Sequence, residues 1–305
     1  MRSGNSGVLV GLDVGGTKTH LRATSGQEVL ADKVYSSEGW TTSDANVAAA
    51  RLLEFIENSV PQSRALTAVA VGANGCDSDV RCVQLQRALS GLLGVPCLVR
   101  NDAELLVPAA GLTNGIGLVA GTGSVAVGRD TEGTAVYVGG WGWCFGDEGS
   151  AAGLVREAAK ASLAARDRGE RPDLLAALLL KSYNVTEVAD LPDMMIAESG
   201  AGNWGRRAAL VFEALESGCA SAVHVVEEGA VALANLVAGV HSRAPSPDVV
   251  VAGGVILKQR RLFDAFERRL AAMLPAARVH HLTVAPVHGA VRLADRLARH
   301  GEVGT

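Results

Sequence analysis

At its N-terminal end the chain alternates short apolar runs with glycine-bearing turns. Residues 8–13, 20–23 and 29–35 read as three extended strands of a meander, the turns between them marked by glycine. At 47–58 the spacing changes to a helical one, with Leu52, Phe55 and Ile56 on one face and Ser43 or Asp44 available as the cap. An alternating strand at 66–71, a helix at 79–93 stopped by Gly94, and a short strand at 97–99 opened by Pro96 complete the order βββαβαβ.

That order then starts again. Strands are predicted at 116–119, 125–128 and 135–138, and helices at 150–166, 173–183, 204–217 and 219–241. A strand at 249–252, a helix at 257–274, a strand at 278–282 and a terminal helix from 289 close the second copy. The repeat is visible in the residues themselves: Gly11-Leu12 and Gly15 return 106 positions later as Gly117-Leu118 and Gly121. The expectation is a duplicated α/β chain with an interdomain cleft. Residues 1–112 form an N-terminal domain, 113–288 a C-terminal domain with a helical insert, and 289–305 a helical segment that packs back on the first. Residues 166–172 and 198–205 read as polar connections.

Composition narrows the function. Net charge is −4 with lysines and arginines scattered, so no basic footprint for nucleic acid or anionic lipid is present. Mean hydropathy is +0.22, but the longest uncharged stretch, 105–128, is broken by glycines and Pro108, so no segment is expected to span a membrane. The first seven residues carry no apolar signal core, and a cytoplasmic protein is expected. Cys76, Cys82, Cys97, Cys144 and Cys219 form an odd set without a CxxC pair; they read as reduced, mostly buried thiols rather than a disulfide or zinc framework. The histidines match no close metal-ligand spacing.

Glycine is the compositional excess, 36 of 305 residues, and it is clustered. Asp13 stands at a strand end before Gly15-Gly16-Thr17-Lys18, a turn whose backbone N–H groups and hydroxyls suit a phosphate. The P-loop pattern is missed, because Lys18 follows Thr17 and not glycine. Gly121-Thr122-Gly123-Ser124 follows a strand of the second copy in the same way, and Gly253-Gly254 joins a strand to a helix where a flat base can lie against backbone. Any one of these is an ordinary turn; three in a duplicated chain signal nucleotide binding.

The series DVGGTKT, RNDA, AGTGS, GGWGWCFGDEGSA and AGGV resembles the actin-like ATPase superfamily, with ribonuclease H-like domains. Within it, Gly139-Gly140-Trp141-Gly142 and Gly146-Asp147-Glu148-Gly149-Ser150-Ala151 are similar to the N-acetylglucosamine kinases of the BadF/BadG/BcrA/BcrD ATPase family. The resemblance implies ATP and Mg²⁺ as cofactors and phosphoryl transfer to the 6-hydroxyl of N-acetylglucosamine or glucosamine. It puts the general base at Asp102, which follows a strand and Asn101, although a carboxylate there can also cap the next helix. Asp13 either faces the metal through water or shapes its turn. Asp147 and Glu148 either cap the following helix or bind sugar hydroxyls, the family's sugar-binding aspartate matching Asp147. Trp141 and Trp143 either pack on a pyranose face or fill the core. Trp40, Asn74, Gly75 and Thr122 stand where relatives contact sugar.

Two departures bear on the acceptor. Glu38 replaces an asparagine in the segment before Trp40, and Val125 replaces one after the GTGS turn; Glu38 would favour the ammonium of glucosamine over an acetamido group. The same family includes ATPases that activate partner enzymes through a cluster at a subunit interface, for which no cysteine pair stands out here. A chaperone-like switch would need an extra peptide-binding domain, and the repressor, open-reading-frame, kinase (ROK) group would need a zinc-binding cysteine cluster. By analogy with relatives a homodimer is expected.

Overall fold

The computed structural model describes residues 7–61 and 65–301. Residues 1–6, on which the leader reading mostly rests, and 302–305, the end of the expected terminal segment, lie outside the described residues. Contacts divide the chain into two compact units. One takes in residues up to 117, 128–136 and those from 282 onward; the other comprises 118–127 and 137–281.

The first sheet is built from β1 (Val8–Val14), β2 (Lys18–Ser25), β3 (Glu28–Ser36), β4 (Leu66–Ala73) and β5 (Cys97–Arg100), in the order β3-β2-β1-β4-β5. The meander pairs antiparallel, and β1–β4 and β4–β5 pair parallel. Two crossover helices supply those parallel steps. In α1 (Ala45–Glu57) the Asp44 carboxylate accepts from the amides of Asn46 and Val47, and Leu52, Phe55 and Ile56 are buried as their spacing predicts. Helix α2 (Asp79–Leu93) is capped by Ser78 and ends at Gly94, whose φ of +66° favours a residue without Cβ. A 3₁₀ turn over Asp102–Leu105 and the short α3 (Leu106–Ala109) follow, so the helix expected after Asp102 is two short pieces.

The second sheet comprises β6 (Ile116–Ala120), β7 (Ser124–Arg129), β8 (Ala135–Gly139), β9 (Asp248–Ala252) and β10 (Arg278–His281), ordered β10-β9-β6-β7-β8. Read from β8 inward, this is the same meander-then-crossover order as the first sheet. Between β8 and β9 lie α4 (Ala151–Asp167), α5 (Leu174–Tyr183), α6 (Leu191–Ala197), α7 (Ala201–Gly205), α8 (Ala208–Glu216) and α9 (Ala220–His241). After β9 come α10 (Gly254–Lys258) and α11 (Arg260–Met273), and α12 (Val287–His300) ends the fold. Helix α12 lies directly on β1: a Cβ at Gly11 would fall 2.6 Å from the Val291 backbone nitrogen.

Four further expectations are corrected. The polar stretch 198–205 is not simply a connection, because α7 forms there and buries Trp204, whose indole N–H donates to the Met195 carbonyl at 2.9 Å. The helix expected at 204–217 is therefore two, α7 and α8, and the one at 257–274 is also two, broken at Gln259, whose backbone leaves the helical region. Helix α9 is long and apolar enough to cross a membrane by length and composition, contrary to the expectation that no segment is. It packs against α4, α8 and α11 and buries Val225, Val226, Leu233 and Val237, which accounts for its apolarity as helix packing. Of the cysteines, Cys76, Cys82 and Cys97 are buried, whereas Cys144 is exposed.

Candidate functional site

In the first unit, Asp13 is the penultimate residue of β1, paired across to His20 on β2 and Gly72 on β4. The turn after it is open. The Gly15 amide donates to the Lys18 carbonyl at 3.0 Å, and nothing lies within 4 Å of where a Gly16 Cβ would stand. Gly16, Thr17 and Lys18 are exposed, and the amides of Gly16 and Thr17 donate to no described residue. These are the free donors a phosphate requires. Burial pushes the Asp13 carboxyl up to about 7, with the charge of Asp102 adding to it and Lys18 opposing.

Asp102 opens the 3₁₀ turn after β5. Asn101 caps that turn: its Oδ1 accepts from the Ala103 amide at 3.0 Å, while Glu104 reaches back to the Asn101 amide at 3.3 Å. The cap role is thus taken by Asn101, and the Asp102 carboxylate accepts from the Ala103 amide at 3.1 Å. Burial raises Asp102 to about 6, against the Ala103 amide; Asp77 raises it further, and the Asn74 side chain opposes. Asp77 was not singled out in the sequence. It lies three residues beyond Asn74 and accepts from Asn101 Nδ2 at 2.9 Å, which ties the loop after β4 to the turn carrying Asp102.

Trp40, Asn74 and Gly75 come together in the same unit. The Trp40 indole donates to the Asn74 carbonyl at 3.0 Å, and Gly75, at φ +85°, gives its carbonyl to Thr42 and Arg81. Glu38 is exposed.

The second unit holds the remaining candidates. The Gly121 amide closes the turn on the Gly123 carbonyl at 2.9 Å, and the amides of Thr122 and Gly123 donate to no described residue. Here the glycines are forced by neighbours. A Cβ on Gly253, whose φ is +115°, would stand 2.3 Å from the Ala120 carbonyl oxygen, and one on Gly123 would meet the Asp147 carboxylate at 2.7 Å. A Gly121 Cβ would lie 3.8 Å from Gly253 Cα, so the two glycine turns of this unit abut.

Asp147 is buried, has a left-handed backbone at φ +60°, and accepts from the Ser124 amide at 3.3 Å. Burial raises its carboxyl above the ordinary range, with the Ser124 amide opposing. The cap of α4 is Ser150, not Asp147 or Glu148, since Ser150 Oγ accepts from the Gly153 amide at 3.1 Å. Trp141 is 76% exposed, whereas Trp143 packs edge-on against Trp204 at 4.5 Å. Val125 sits under Gly140, its Cγ2 3.2 Å from where a Gly140 Cβ would be. Arg156 on α4 was missed by the sequence reading. It donates to the carbonyls of Trp143 and Gly146, both at 2.6 Å, and to Glu148 at 3.1 Å. A lone cation in the alanine-rich start of α4 was the available signal.

No group of three His, Cys, Asp or Glu side chains among the described residues is arranged to cage a metal. A single, partly exposed Asp13 carboxylate suits a hydrated Mg²⁺ held chiefly by phosphate oxygens. The two turns with free amides suit the phosphates themselves.

An N-acetylmuramic acid/N-acetylglucosamine kinase of Clostridium acetobutylicum is 32% identical over 57% of this chain, and the match spans 61% of that relative's length. An N-acetyl-D-glucosamine kinase of Dictyostelium discoideum is 25% identical over 94% of the chain and 97% of its own length. Among solved structures, a candidate N-acetylglucosamine kinase from Chromobacterium violaceum superposes with a TM-score of 0.69 at 21% identity, covering 95% of this chain and 99% of that one. The ROK family glucokinase of Streptomyces griseus gives 0.59 at 20% identity, covering 97% and 100%. These likenesses show the fold, a duplicated α/β architecture. Residues 10–294 match the model of one family across nearly the whole sequence, and the chain belongs to the BadF/BadG/BcrA/BcrD ATPase family.

Proposed function

We propose that this chain is an ATP- and Mg²⁺-dependent kinase that phosphorylates the 6-hydroxyl of an amino sugar, N-acetylglucosamine or glucosamine. The observation that carries the reading is Asp102. Its carboxylate is released from capping by Asn101, and burial raises it to about 6, so it is ionised at neutral pH yet basic enough to take a proton. The names of the two curated relatives support the amino-sugar acceptor.

In this reading Asp102 orients the acceptor hydroxyl and removes its proton as the new O–P bond forms and the bond to ADP breaks. Asn74, Gly75, Trp40, Trp141 and Asp147 bind the sugar. Gly15, Gly16, Thr17 and Lys18, with Gly121, Thr122, Gly123 and Ser124, hold the phosphates, and Gly253-Gly254 backs the base. Asp13 would hold a hydrated Mg²⁺, which when bound would neutralise charge on the phosphates. Glu38 biases the acceptor toward glucosamine. A homodimer remains part of the proposal, to be read from the solution mass.

The test is ATP consumption with N-acetylglucosamine, glucosamine, glucose and N-acetylmannosamine in parallel, beside a no-sugar control and Asp102→Asn. Sugar-dependent turnover that falls by about 10²–10⁴ in Asp102→Asn supports the reading. Hydrolysis indifferent to every sugar replaces it with the partner-activating ATPase. Preference for N-acetylglucosamine unchanged by Glu38→Gln removes Glu38 from the account.

A further inference from the structure

The segment from Gly139 to Gly149 is an unusual piece of backbone. Gly139, Gly140, Gly142 and Gly149 all have positive φ, and so does Asp147, a residue with a Cβ that resists that region. The segment also displays Trp141 at 76% and Phe145 at 88% exposure, next to the buried Asp147. A chain in this conformation stays put only if neighbouring groups hold it there.

Arg156 is the group that does so. Its guanidinium, whose side chain is 14% exposed, donates from Nη1 to the carbonyls of Trp143 and Gly146 and from Nη2 to Glu148, on either side of Asp147. Its Nε donates to Glu157 at 2.9 Å, one residue along α4, which fixes the orientation of the fork. Ser150, capping the same helix, holds the far end. Two carbonyls and two carboxylates therefore converge on one planar cation, a geometry that the single ammonium of lysine cannot reproduce.

We propose that Arg156 is the positioning residue of the acceptor loop: it holds residues 143–148 so that Asp147 keeps its left-handed backbone and its carboxylate against the Ser124 amide. It touches neither sugar nor nucleotide in this account, and acts through Asp147. The proposal rests on the amino-sugar kinase reading for its kinetic consequence, but its structural core is open to test without turnover.

The experiment compares full-length wild type with Arg156→Met and Arg156→Lys. Melting curves establish that each variant folds, and Arg156→Lys, which keeps the charge and the stem, serves if Arg156→Met does not. Hydrogen exchange followed by mass spectrometry reads peptides covering 141–149, and steady-state kinetics give KM for sugar and for ATP separately. The expected result is at least tenfold faster exchange confined to 141–149, with sugar KM raised about tenfold and ATP KM within about twofold of wild type. Guanidinium ion at millimolar concentration should partly restore sugar KM in Arg156→Met and do nothing for Asp102→Asn. Exchange unchanged in a folded variant overturns the proposal, as does an equal rise in both KM values. If wild type phosphorylates no sugar, the kinase reading fails on its own, and the exchange of 141–149 still decides whether Arg156 holds the loop.

Discussion

The turn after β1 and the turn after β6 look alike in sequence, each a strand end followed by small residues and hydroxyls, yet they are built by different means. The first is open: Gly16 has empty space where a side chain would go, and Gly15 meets only the Lys18 carbonyl at 3.4 Å. The second is closed in by its own unit, Gly123 against Asp147 and Gly253 against Ala120. The carboxylates divide the opposite way. Asp13 and Asp102, in the first unit, are raised to about 7 and about 6; in the second unit Asp147 is raised by burial too, but it is locked by a left-handed backbone and an amide. A glycine turn can therefore be required by its neighbours or left free for a ligand, and the sequence motif does not distinguish the two. In this molecule the first unit carries the tunable charge and the second the fixed shape.

The sharpest way to break that contrast is Gly253→Ala. The new Cβ would press on the Ala120 carbonyl in a backbone region that alanine avoids, and backbone cannot move aside as a side-chain tip can. A loss of about 3 kcal/mol or more is expected, read as a fall in melting temperature of about 2–4 °C per kcal/mol. A variant that melts with wild type would show that the second turn is as open as the first.

A smaller effect sharpens the account of the first unit. Because the folded value of Asp13 lies above its ordinary one, the unfolded chain loses its proton first as pH rises. Wild type then loses stability between about pH 4 and about 7, and the loss is complete above the folded value. Asp13→Asn never ionises and escapes that loss. In metal-free buffer its melting temperature, relative to wild type, should climb from pH 4 to pH 8, and its turnover, assayed separately with Mg²⁺, should collapse. A pH-independent difference would remove the burial of charge from the explanation.

What could be read in advance follows the range of the interactions. Both ends of α2 were legible, because Ser78 and Gly94 act on their own helix within a few residues. The duplicated strand order was legible too, since each copy repeats the same succession of strands and crossovers. Asp102 and Asp147 stood out as carboxylates in motifs; the cap at Asn101 has a local signature in Glu104 three residues on, which went unread, whereas the φ of +60° at Asp147 has none. Trp204 was predicted inside one long helix, and its burial against Trp143 and the Met195 carbonyl is a tertiary fact that splits the helix. Arg156 was passed over for the same reason: its acceptors in the loop lie eight to thirteen residues back along the chain, and only the folded loop gathers them.

The smallest effect on stability belongs to Gly16→Ala, and it tests the open turn most directly. No atom lies within 4 Å of the added methyl, and the backbone there is outside the left-handed region, so the folded state loses nothing. The unfolded chain loses freedom instead, which places the change in stability between zero and a gain of about 0.4–1 kcal/mol. If the turn is bare because phosphate oxygens approach its amides, the methyl obstructs them, and KM for ATP should rise several-fold in a protein that melts no earlier than wild type. Packing alone cannot produce that combination. An unchanged KM for ATP would mean that Gly16 serves only the turn between β1 and β2, and the phosphate role would then rest on the amides of Thr122 and Gly123.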